Sequence, residues 1–347
     1  MRKAVLTVVV LAASSVSARP PRPHLTAPAA ALLAKGAAFL APADNLLIPL
    51  DGGKPVAFLE PAPEHLELGA SPSLLSIDGD LFRLADHKLV RVASQVGAMP
   101  AATPDLTLVA GIEDKRTLRL TRGEEGKRVP YHREGRFELE HPYVTPDGAA
   151  VLVAVRDYTQ PLDAFDFLLV DTKTLALEEI HLSKRFVPGP LRQLLSPERL
   201  ALQMFTQRSD DEGNLQLEQT DFVVFDFQTH KLGPAPPDLR PGLPSASGKF
   251  SLLPGPITYS DDKRCGGDET RLYEAGKPQP VHFALPGTVV TLLDVLPDET
   301  AVIANLLTLK TCKSRGVLIP LGADVKPSSW KPFPLPQSPR LQGRILR

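Results

Sequence analysis

Residues 143–155 read YVTPDGAAVLVAV. Within this stretch, Thr145-Pro146-Asp147-Gly148 is a typical turn sequence, and it separates two apolar runs that are too short for ordinary helices. Similar turns along the chain are marked by Pro72, Pro104, Pro197, Ser247 and Pro297, at steps of 32 to 51 residues. An apolar run of strand length follows each turn, so the sequence predicts a tandem repeat.

A second hairpin follows the first at a similar offset in every unit. In FLLVDTKTLALEEI (167–180), an apolar strand ends in a short polar turn, and a second strand-like run begins after a lysine. The corresponding lysines are Lys54, Lys88, Lys127, Lys173, Lys231, Lys277 and Lys326. Glycine, aspartate and lysine populate many turns, but seven hairpins in register with the turn motifs indicate one repeated unit of four strands, A to D.

A four-stranded unit of this size cannot bury both of its faces alone, whereas radial stacking of such units buries them and leaves only short edges. The repeat therefore predicts an all-β fold, a β-propeller of seven blades that begin near residues 30, 64, 97, 137, 189, 242 and 288. Six blades are the alternative, because the first two units are short. A pair of β-sandwiches fits the regular repeat less well.

The stretch TPDGAAVLVAV…FLLVDTKTLALEEI resembles the repeat of TolB-like, WD-repeat-like bacterial periplasmic β-propellers. The unit of that family reads roughly S-P-D-G, strand, loop, strand ending in Asp, and turn. The unit at 145–182 matches it best, LSPERL (195–200) lacks the glycine, and no Trp-Asp dipeptide is present. The resemblance implies the propeller fold and an exported setting. Because the family includes both binding proteins and propellers attached to peptidases, it transfers no function.

The first 18 residues have the pattern of a signal peptide. Arg2 and Lys3 precede an apolar stretch, and Val16-Ser17-Ala18 supplies small residues for cleavage after Ala18. An uncleaved membrane anchor is the alternative, but the apolar run is shorter than the ~20 residues of a spanning helix. We therefore expect a soluble, periplasmic or secreted mature chain without a transmembrane segment.

Net charge and proline content limit the possible functions and the secondary structure of the chain. The formal net charge of −1 gives no electrostatic argument for nucleic-acid binding. The 36 prolines disfavour long helices. We expect a Pro-rich linker at 19–28, a propeller domain at 29–336 and a basic tail at 337–347, either a partner-binding extension or a disordered end. AAALLAKGAAFL (29–40) is expected to form strands A and B of blade 1 rather than a helix.

No catalytic, metal-binding or cofactor-binding motif stands out. The sequence has no nucleophile elbow, no His-Glu-x-x-His, no paired Cys-x-x-Cys and no Gly-rich phosphate loop. The predicted A strands, which would line the central channel, are mostly apolar, with Asp294 as the main exception. These patterns favour a non-catalytic role, and no cofactor is expected.

Three long polar loops are the most distinctive charged feature. They lie between strands B and C of blades 4, 5 and 6, at 156–166, 207–221 and 260–271. Solvated loop tips are one interpretation, and a partner surface is the other, since function concentrates on loops held by a rigid scaffold. The expected binding residues are Asp157, Tyr158, Asp163, Phe165, Asp210, Asp211, Glu212, Asp261, Asp262 and Asp268, with Tyr158 and Phe165 as apolar anchors. No loop has the residue spacing of a Ca²⁺ site.

The sequence thus favours a binding or scaffold protein of the cell envelope, monomeric by itself. Its partner would be an envelope protein, a peptide or a carbohydrate, bound on the loops between strands B and C. The alternative is a hydrolase or lyase with its site at the central channel.

Cys265 and Cys312 are the only cysteines. They lie in the B–C loops of the last two predicted blades, and equivalent loops of adjacent blades emerge side by side. An exported chain reaches an oxidising compartment, where an even number of cysteines usually pairs. We therefore predict a disulfide between them. Two free thiols are the alternative, and a metal site is less consistent because no His or further Cys lies nearby in the sequence.

Overall fold

A computed structural model describes residues 22–69, 73–158, 164–182, 186–209, 215–236, 239, 242–260, 264–277, 280–281, 283–322, 325–338 and 341–346. Its strands form seven antiparallel blades arranged as a β-propeller, in agreement with the prediction of seven rather than six. The expected signal peptide lies outside the described residues. Within the described part of the chain, no helix is long and apolar enough to cross a membrane.

Blades 1 to 3 are built from short strands. Blade 1 contains Arg344–Leu346, Ala38–Ala41, Leu46–Pro49 and Val56–Ala57 in the order A to D. Blade 2 contains Leu66–Leu68, Leu74–Ile77, Asp80–Ala85 and Lys88–Ala93. Blade 3 contains Ala98–Ala102, Val109–Ile112, Thr117–Arg122 and Glu125–Pro130.

Blades 4 to 7 have longer strands. Blade 4 contains Phe137–Val144, Ala150–Asp157, Ala164–Asp171 and Leu177–His181. Blade 5 contains Phe186–Ser196, Arg199–Ser209, Leu215–Asp226 and Lys231–Pro234. Blade 6 contains Leu243–Pro244, Phe250–Tyr259 and Gly266–Glu274, and a bridge from Leu272 to Val281 marks the position of its fourth strand. Blade 7 contains Thr288–Val295, Ala301–Thr308, Lys313–Pro320 and Lys331–Phe333.

The turn between strands A and B explains the repeat seen in the sequence. In blades 3, 4 and 7 the aspartate after the proline accepts a hydrogen bond from the backbone N–H two residues later, at 3.0–3.2 Å. The fourth turn residue has a left-handed backbone: Leu106 (φ 62°), Gly148 (φ 68°) and Glu299 (φ 56°). Pro presets the first turn dihedral and Asp closes the turn, so Pro-Asp persists while the fourth residue varies.

The turn between strands C and D is fixed by a second aspartate. Oδ1 of Asp171 accepts hydrogen bonds from the backbone N–H groups of Lys173 (2.9 Å) and Thr174 (2.6 Å) and from the Thr174 hydroxyl (2.8 Å). Asp226 in blade 5 makes the same three bonds, to Gln228 and Thr229. In an antiparallel blade the A–B and C–D turns lie at the same end, and we call this end the turn face; blade 1 has only the C–D turn there.

The hydrophobic core lies between the blades. In strand B of blade 4, Val151, Val153 and Val155 pack against blade 3, whereas Leu152 and Ala154 pack against blade 5. Alternate residues of a strand point to opposite faces. The strand is therefore apolar at every position, because neighbouring blades cover both of its faces. The A strands of blades 3 and 4 contact each other, as do those of blades 7 and 1, which places the A strands at the axis.

The C-terminal strand closes the ring, which corrects the expected tail at 337–347. Arg344–Leu346 pairs with strand B of blade 1, with Ile345 opposite Phe39, and so supplies the innermost strand of the first blade. Both side chains are fully buried or nearly so. Gly343 is required at the entry to this strand, since a Cβ atom there would lie 2.1 Å from the Phe39 ring. The propeller therefore extends beyond the expected boundary at 336.

Arg344 and Ile345 connect this strand to blades 2 and 7. Its Nη1 donates to the carbonyl oxygen of Gly69 in blade 2 at 3.1 Å. Asp294 of blade 7 accepts the backbone N–H of Ile345 at 2.8 Å. Burial lowers the pKa of Arg344, and the nearby negative charge of Asp294 opposes that shift. Asp294, the main exception to the apolar character of the predicted inner strands, thus contributes to ring closure.

The N-terminal segment also differs from the expectation. A helix, Ala27–Lys35, replaces the predicted strand A of blade 1, because the C-terminal strand already occupies that position. The Thr26 side chain caps the helix by accepting the N–H of Ala29 at 3.1 Å. The expected linker at 19–28 is in part structured, since His24–Leu25 pairs with Leu59–Glu60.

Candidate binding face

The end of the propeller opposite the turn face carries the B–C connections, and we call it the loop face. Strand B has four residues in blades 1, 2 and 3, but 8, 11, 10 and 8 residues in blades 4, 5, 6 and 7. Every B strand starts from the same turn face, so the additional residues extend the loop face. Four more residues at 3.3 Å each raise it by about 13 Å. We call blades 4–7 the raised half.

The structure describes four of the ten residues that the sequence predicts for binding. These are Asp157, Tyr158, Phe165 and Asp268. The other six, Asp163, Asp210, Asp211, Glu212, Asp261 and Asp262, lie outside the described residues. Asp268 is exposed in strand C of blade 6, and its backbone carbonyl accepts the Thr291 hydroxyl of blade 7 at 2.7 Å. The other three described residues lie on blade 4.

Asp157 is held by an arginine from the connection between blades 3 and 4. Nη2 of Arg133 lies 3.4 Å from Oδ2 of Asp157, and Nη1 lies 2.7 Å from Oδ2 of Asp166. Both carboxylate side chains are close to nine-tenths buried. Asp166 also accepts the backbone N–H of Leu182 at 3.1 Å. The hydrogen bond to Asp166 raises the pKa of Arg133. The contact between Arg133 and Asp157 therefore fastens the connection between blade 3, whose strands are short, and blade 4, whose strands are long.

Tyr131 anchors the start of the same connection. Its hydroxyl donates to Oε1 of Glu179 at 2.7 Å, and its ring packs edge-to-face on Phe137 with centroids 5.1 Å apart. Burial, followed by the hydrogen bond to Glu179, raises the pKa of the Tyr131 phenol. Because Tyr131 and Arg133 both bind blade 4, residues 131–136 are held against its raised end.

Tyr158 lies beside two arginines at the end of strand B. The Cζ atoms of Arg136 and Arg156 lie 5.4 Å and 4.7 Å from the centroid of its ring. Its hydroxyl donates to Glu138 at 3.2 Å, and Glu138 also binds Nζ of Lys115 at 2.8 Å. Partial burial raises the pKa of Tyr158. We call Arg136, Arg156 and Tyr158 the Arg–Tyr platform; partly exposed Tyr and Arg side chains are typical of binding hot spots.

Phe165 differs from the expected anchor because its ring is buried. Only 4% of the residue is exposed, and it packs with Leu202 and Met204 between blades 4 and 5. Arg156 covers the ring at 5.7 Å. Phe165 follows the loop directly but already lies in a strand whose faces are both covered. In this conformation it offers no contact area to a partner.

The predicted disulfide is confirmed. Cys265 and Cys312 are bonded, with an S–S distance of 2.16 Å and Cα atoms 5.7 Å apart. The bond links the B–C connections of blades 6 and 7 across 47 residues. Around it, Cys265, Val289 and Leu307 form a small buried cluster. The bond therefore joins the loop-face ends of two adjacent tall blades.

Within the described ranges, no group of three His, Cys, Asp or Glu side chains is arranged to hold a metal ion.

The inner strands of blades 3 and 4 have an irregular backbone at one position each. Met99 (φ 52°) and His141 (φ 48°) have left-handed backbones at equivalent positions, each directly before a proline. The backbone N–H of His141 donates to Sδ of Met99 at 3.5 Å.

No protein-family model matches the sequence, and no curated protein is similar to it. Among solved structures, the chain is similar to an oligogalacturonate lyase in complex with manganese, at 14% identity and a TM-score of 0.46, covering 80% of this chain and 82% of that chain. It is also similar to Kuenenia stuttgartiensis hydrazine synthase, at 13% identity and a TM-score of 0.42, covering 74% and 77%.

A prolyl endopeptidase is similar at 13% identity and a TM-score of 0.43, with 86% of this chain but 46% of that chain covered. At these identities and scores the likeness carries no argument about activity, substrate or metal. The comparisons also do not identify the chain as a TolB-like or WD-repeat protein, so that resemblance stays a prediction.

Sequence reasoning missed the residues that organise the loop face, above all Arg133 and Arg136. Both belong to YHREGR (131–136), which reads as an ordinary polar connection. Their partners Asp157 and Tyr158 are more than 20 residues away in the sequence. The sequence signal that could have indicated them is the clustering of two arginines and a tyrosine in a six-residue link directly before blade 4.

Proposed function

We propose that this chain is a non-catalytic binding or scaffold protein of the cell envelope, which holds a partner protein on the loop face of blades 4–6. The observation that carries the proposal is the raised half. Strands of 8 to 12 residues lift the B–C connections of these blades above those of blades 1–3. Core packing between blades does not require such an extension on one side only, and longer strands give loops on that side a rigid support.

The rigidity of the raised half supports this role. Arg133 holds the raised end of blade 4, and the Cys265–Cys312 disulfide joins blades 6 and 7. A preorganised surface loses little conformational entropy when it binds, which leaves more of the contact energy for affinity. The Arg–Tyr platform lies at the edge of this surface and supplies side chains that dominate many interfaces.

A periplasmic or secreted location is part of the proposal. It rests on the signal-peptide pattern of residues 1–18 and on the disulfide, since disulfides persist in oxidising compartments and are rare in the cytosol. The purified protein is expected to be a monomer until it meets its partner.

The test is quantitative capture of partners from envelope extracts of the producing organism. The double charge reversal Asp210→Lys/Asp211→Lys, in the sequence between strands B and C of blade 5, should reduce the captured partner at least tenfold without changing the melting temperature. Tyr158→Ala should also weaken binding. The matched control is Lys173→Glu/Lys231→Glu on the turn face, which should bind as the unaltered protein does. Intact binding by the loop-face variant together with lost binding by the control would reject the loop face as the docking surface.

A second candidate is a hydrolase or lyase with its site at the central channel. It draws support from the left-handed Met99 and His141 on the inner strands, because backbone strain of this kind clusters at active sites. An activity screen with peptide and glycan substrates would test it. If the purified protein turns over a substrate without any partner protein, and the His141→Ala variant does not, the enzyme candidate would be favoured over the binding role.

A further inference from the structure

The outer rim of blade 7 contains a cleft of about 340 Å³. It opens beside strands C and D on the outer side of the blade, and its Ser314–Arg315 end adjoins the B–C connection that contains Cys312. Its lining residues are Ser314, Arg315, Gly316, Val317, Pro327, Trp330, Pro332, Phe333, Leu335 and Gln337. Four of them are consecutive residues of strand C, which is the arrangement expected where the edge of a strand forms one wall.

That edge is only partly covered. Strand C runs over eight residues, Lys313–Pro320, but strand D has three and pairs only with Gly316, Val317 and Leu318. After Phe333 the chain turns inward, and Leu335 is buried against blade 1. In the described part of the chain, Lys313–Arg315 therefore has no strand paired on its outer side, although its central residue, Ser314, is buried and lines the cleft. An uncovered strand edge presents backbone N–H and C=O groups that can pair with another chain.

The surroundings of the cleft are basic. Between residues 301 and 337 the sequence holds five cations and a single acid, Asp324. The cations are Lys310, Lys313, Arg315, Lys326 and Lys331, and all five are exposed. Among the described residues none of the five forms an ion pair, whereas many arginines elsewhere in the molecule do. Within the described residues, no carboxylate thus neutralises the positive charge at this rim.

Trp330 adds an unused donor at the wall of the cleft. Its ring packs edge-to-face on Phe283, with centroids 6.3 Å apart. Its Nε1–H is shielded from solvent and has no acceptor among the described residues. Buried indole N–H groups usually have a hydrogen-bond partner, so a carbonyl oxygen brought into the cleft would meet an unfilled donor after a small movement of the ring.

We propose that this cleft binds an extended, acidic segment of a partner protein, which adds to the free edge of strand C and lengthens the outer side of blade 7. Peptides commonly bind exposed sheet edges in this way, with main-chain hydrogen bonds giving affinity and side-chain pockets giving selectivity. Backbone pairing favours a peptide over an anionic polysaccharide, because a sugar chain has no alternating N–H and C=O groups. The basic rim selects acidic side chains.

Trp330 provides the measurement, because it is the only tryptophan in the protein. A blocked decapeptide of alternating Glu and Val is titrated into the purified protein while tryptophan emission is recorded. Saturable change is expected, and the affinity should fall as salt is raised, since exposed charges are screened. The same peptide with Lys in place of Glu should not bind. Equal binding of the lysine peptide would overturn the charge argument.

Two further controls separate strand addition from simple charge attraction. A Glu-Val peptide N-methylated at alternate residues cannot pair along one edge, and it should bind at least tenfold more weakly. A linear polyuronate should neither change the emission nor compete. If the methylated peptide binds equally well, strand addition is wrong; if the polyuronate competes fully, the cleft is a polysaccharide site instead.

Variants locate the site. Lys313→Glu/Arg315→Glu should weaken peptide binding at least tenfold, and Arg315→Ala, a milder change, should weaken it in the same direction. The matched control Lys54→Glu/Lys88→Glu reverses two exposed lysines on blades 1 and 2 and should bind normally. Asp210→Lys/Asp211→Lys, which tests the loop face, should leave peptide binding intact, so failure of one proposal is distinguishable from failure of the other. Normal binding by both blade 7 variants would overturn this site.

Discussion

The turn face and the loop face of this propeller follow opposite rules. On the turn face, blades repeat the same hydrogen bonds: Asp105, Asp147 and Asp298 close A–B turns, and Asp171 and Asp226 close C–D turns. On the loop face each blade differs in strand length and in the groups that hold it. The repeated hydrogen bonds of the turn face therefore define the blade that is repeated around the ring. On the loop face, strand length and side chains differ from blade to blade.

The turn face also carries polar contacts between neighbouring blades. Glu299 of blade 7 accepts the hydroxyls of Ser245 (2.5 Å) and Ser247 (2.7 Å) in blade 6. Arg122 of blade 3 donates to the carbonyl oxygen of Gly148 in blade 4 at 3.4 Å. Some of the residues that shape the turns, such as Glu299, Ser245 and Gly148, thus also connect neighbouring blades.

The largest expected effect concerns the disulfide, the one covalent device on the loop face among the described residues. Cys312→Ser should lower the free energy of unfolding by up to ~4 kcal/mol, the chain-entropy value for a loop of this length. Denaturant unfolding measures it. Reduction of the unaltered protein should reproduce the loss, and reduction of the variant should add nothing. Unchanged stability would mean that the bond does not clamp the raised half.

Arg133 should give the next largest effect. Arg133→Met removes the partner of two nearly buried carboxylates, Asp157 and Asp166, and should destabilise the fold by about 2 kcal/mol, less than for a fully buried pair. Thermal unfolding is the measurement, with Arg83→Met, an exposed arginine of blade 2, as the control. A variant as stable as the control would show that the step between blades 3 and 4 does not depend on this link.

A smaller effect is expected on the turn face. The Thr145 side chain is buried, donates to the carbonyl oxygen of Ala150 at 3.1 Å and accepts its N–H at 2.9 Å. Thr145→Val should cost about 1 kcal/mol, the usual net value of such hydrogen bonds, and should leave partner binding unchanged. Thr308→Val, at an exposed strand end, is the control. Weakened partner binding at unchanged stability would reverse the roles of the two faces.

The smallest expected effect is a dependence of the protein's stability on pH, which arises from carboxyl groups on the turn face. Hydrogen bonds from Ser245 and Ser247 lower the pKa of Glu299, and bonds from Thr174 lower the pKa of Asp171. A carboxyl with a lower pKa in the folded state stabilises the fold above its unfolded pKa, ~4, and this contribution is lost as the pH falls through the folded pKa.

Melting temperature should therefore decline as the pH is lowered below about 4.3, the ordinary pKa of a glutamate. Glu299→Gln should make that decline shallower, whereas Glu134→Gln, at an exposed position, should not. Parallel curves for the two variants and the unaltered protein would show that Glu299 is not coupled to the contact between blades 6 and 7.

The sequence predicts what is local and repeated. The Pro-Asp turns, the seven units and the disulfide follow from motifs within each unit or from equivalent positions in adjacent units. The inner strand of blade 1 does not, because Phe39 and Ile345 pair from opposite ends of the chain and neither carries a repeat motif. The sequence also predicts a strand where the helix Ala27–Lys35 forms, because nothing local shows that Arg344–Leu346 fills the strand A position of blade 1.

Binding residues were harder to predict, because exposure depends on the neighbouring blade. Tyr158 and Phe165 flank the same loop and looked equivalent as anchors. Tyr158 lies at the end of the ladder beside Arg136 and Arg156, whereas Phe165 points between blades 4 and 5. Only the register of the strand separates the two, and register is set by pairing rather than by composition.

The position of the C-terminal strand in blade 1 also affects when the ring can close during synthesis of the chain. A chain is synthesised from its N-terminus, so Ala38–Ala41 exists long before its partner Arg344–Leu346 is made. During that interval the inner edge of blade 1 has unpaired backbone groups, which invite pairing with other chains. Until Arg344–Leu346 is added, the ring therefore stays open at blade 1, with a strand edge that can pair with another chain.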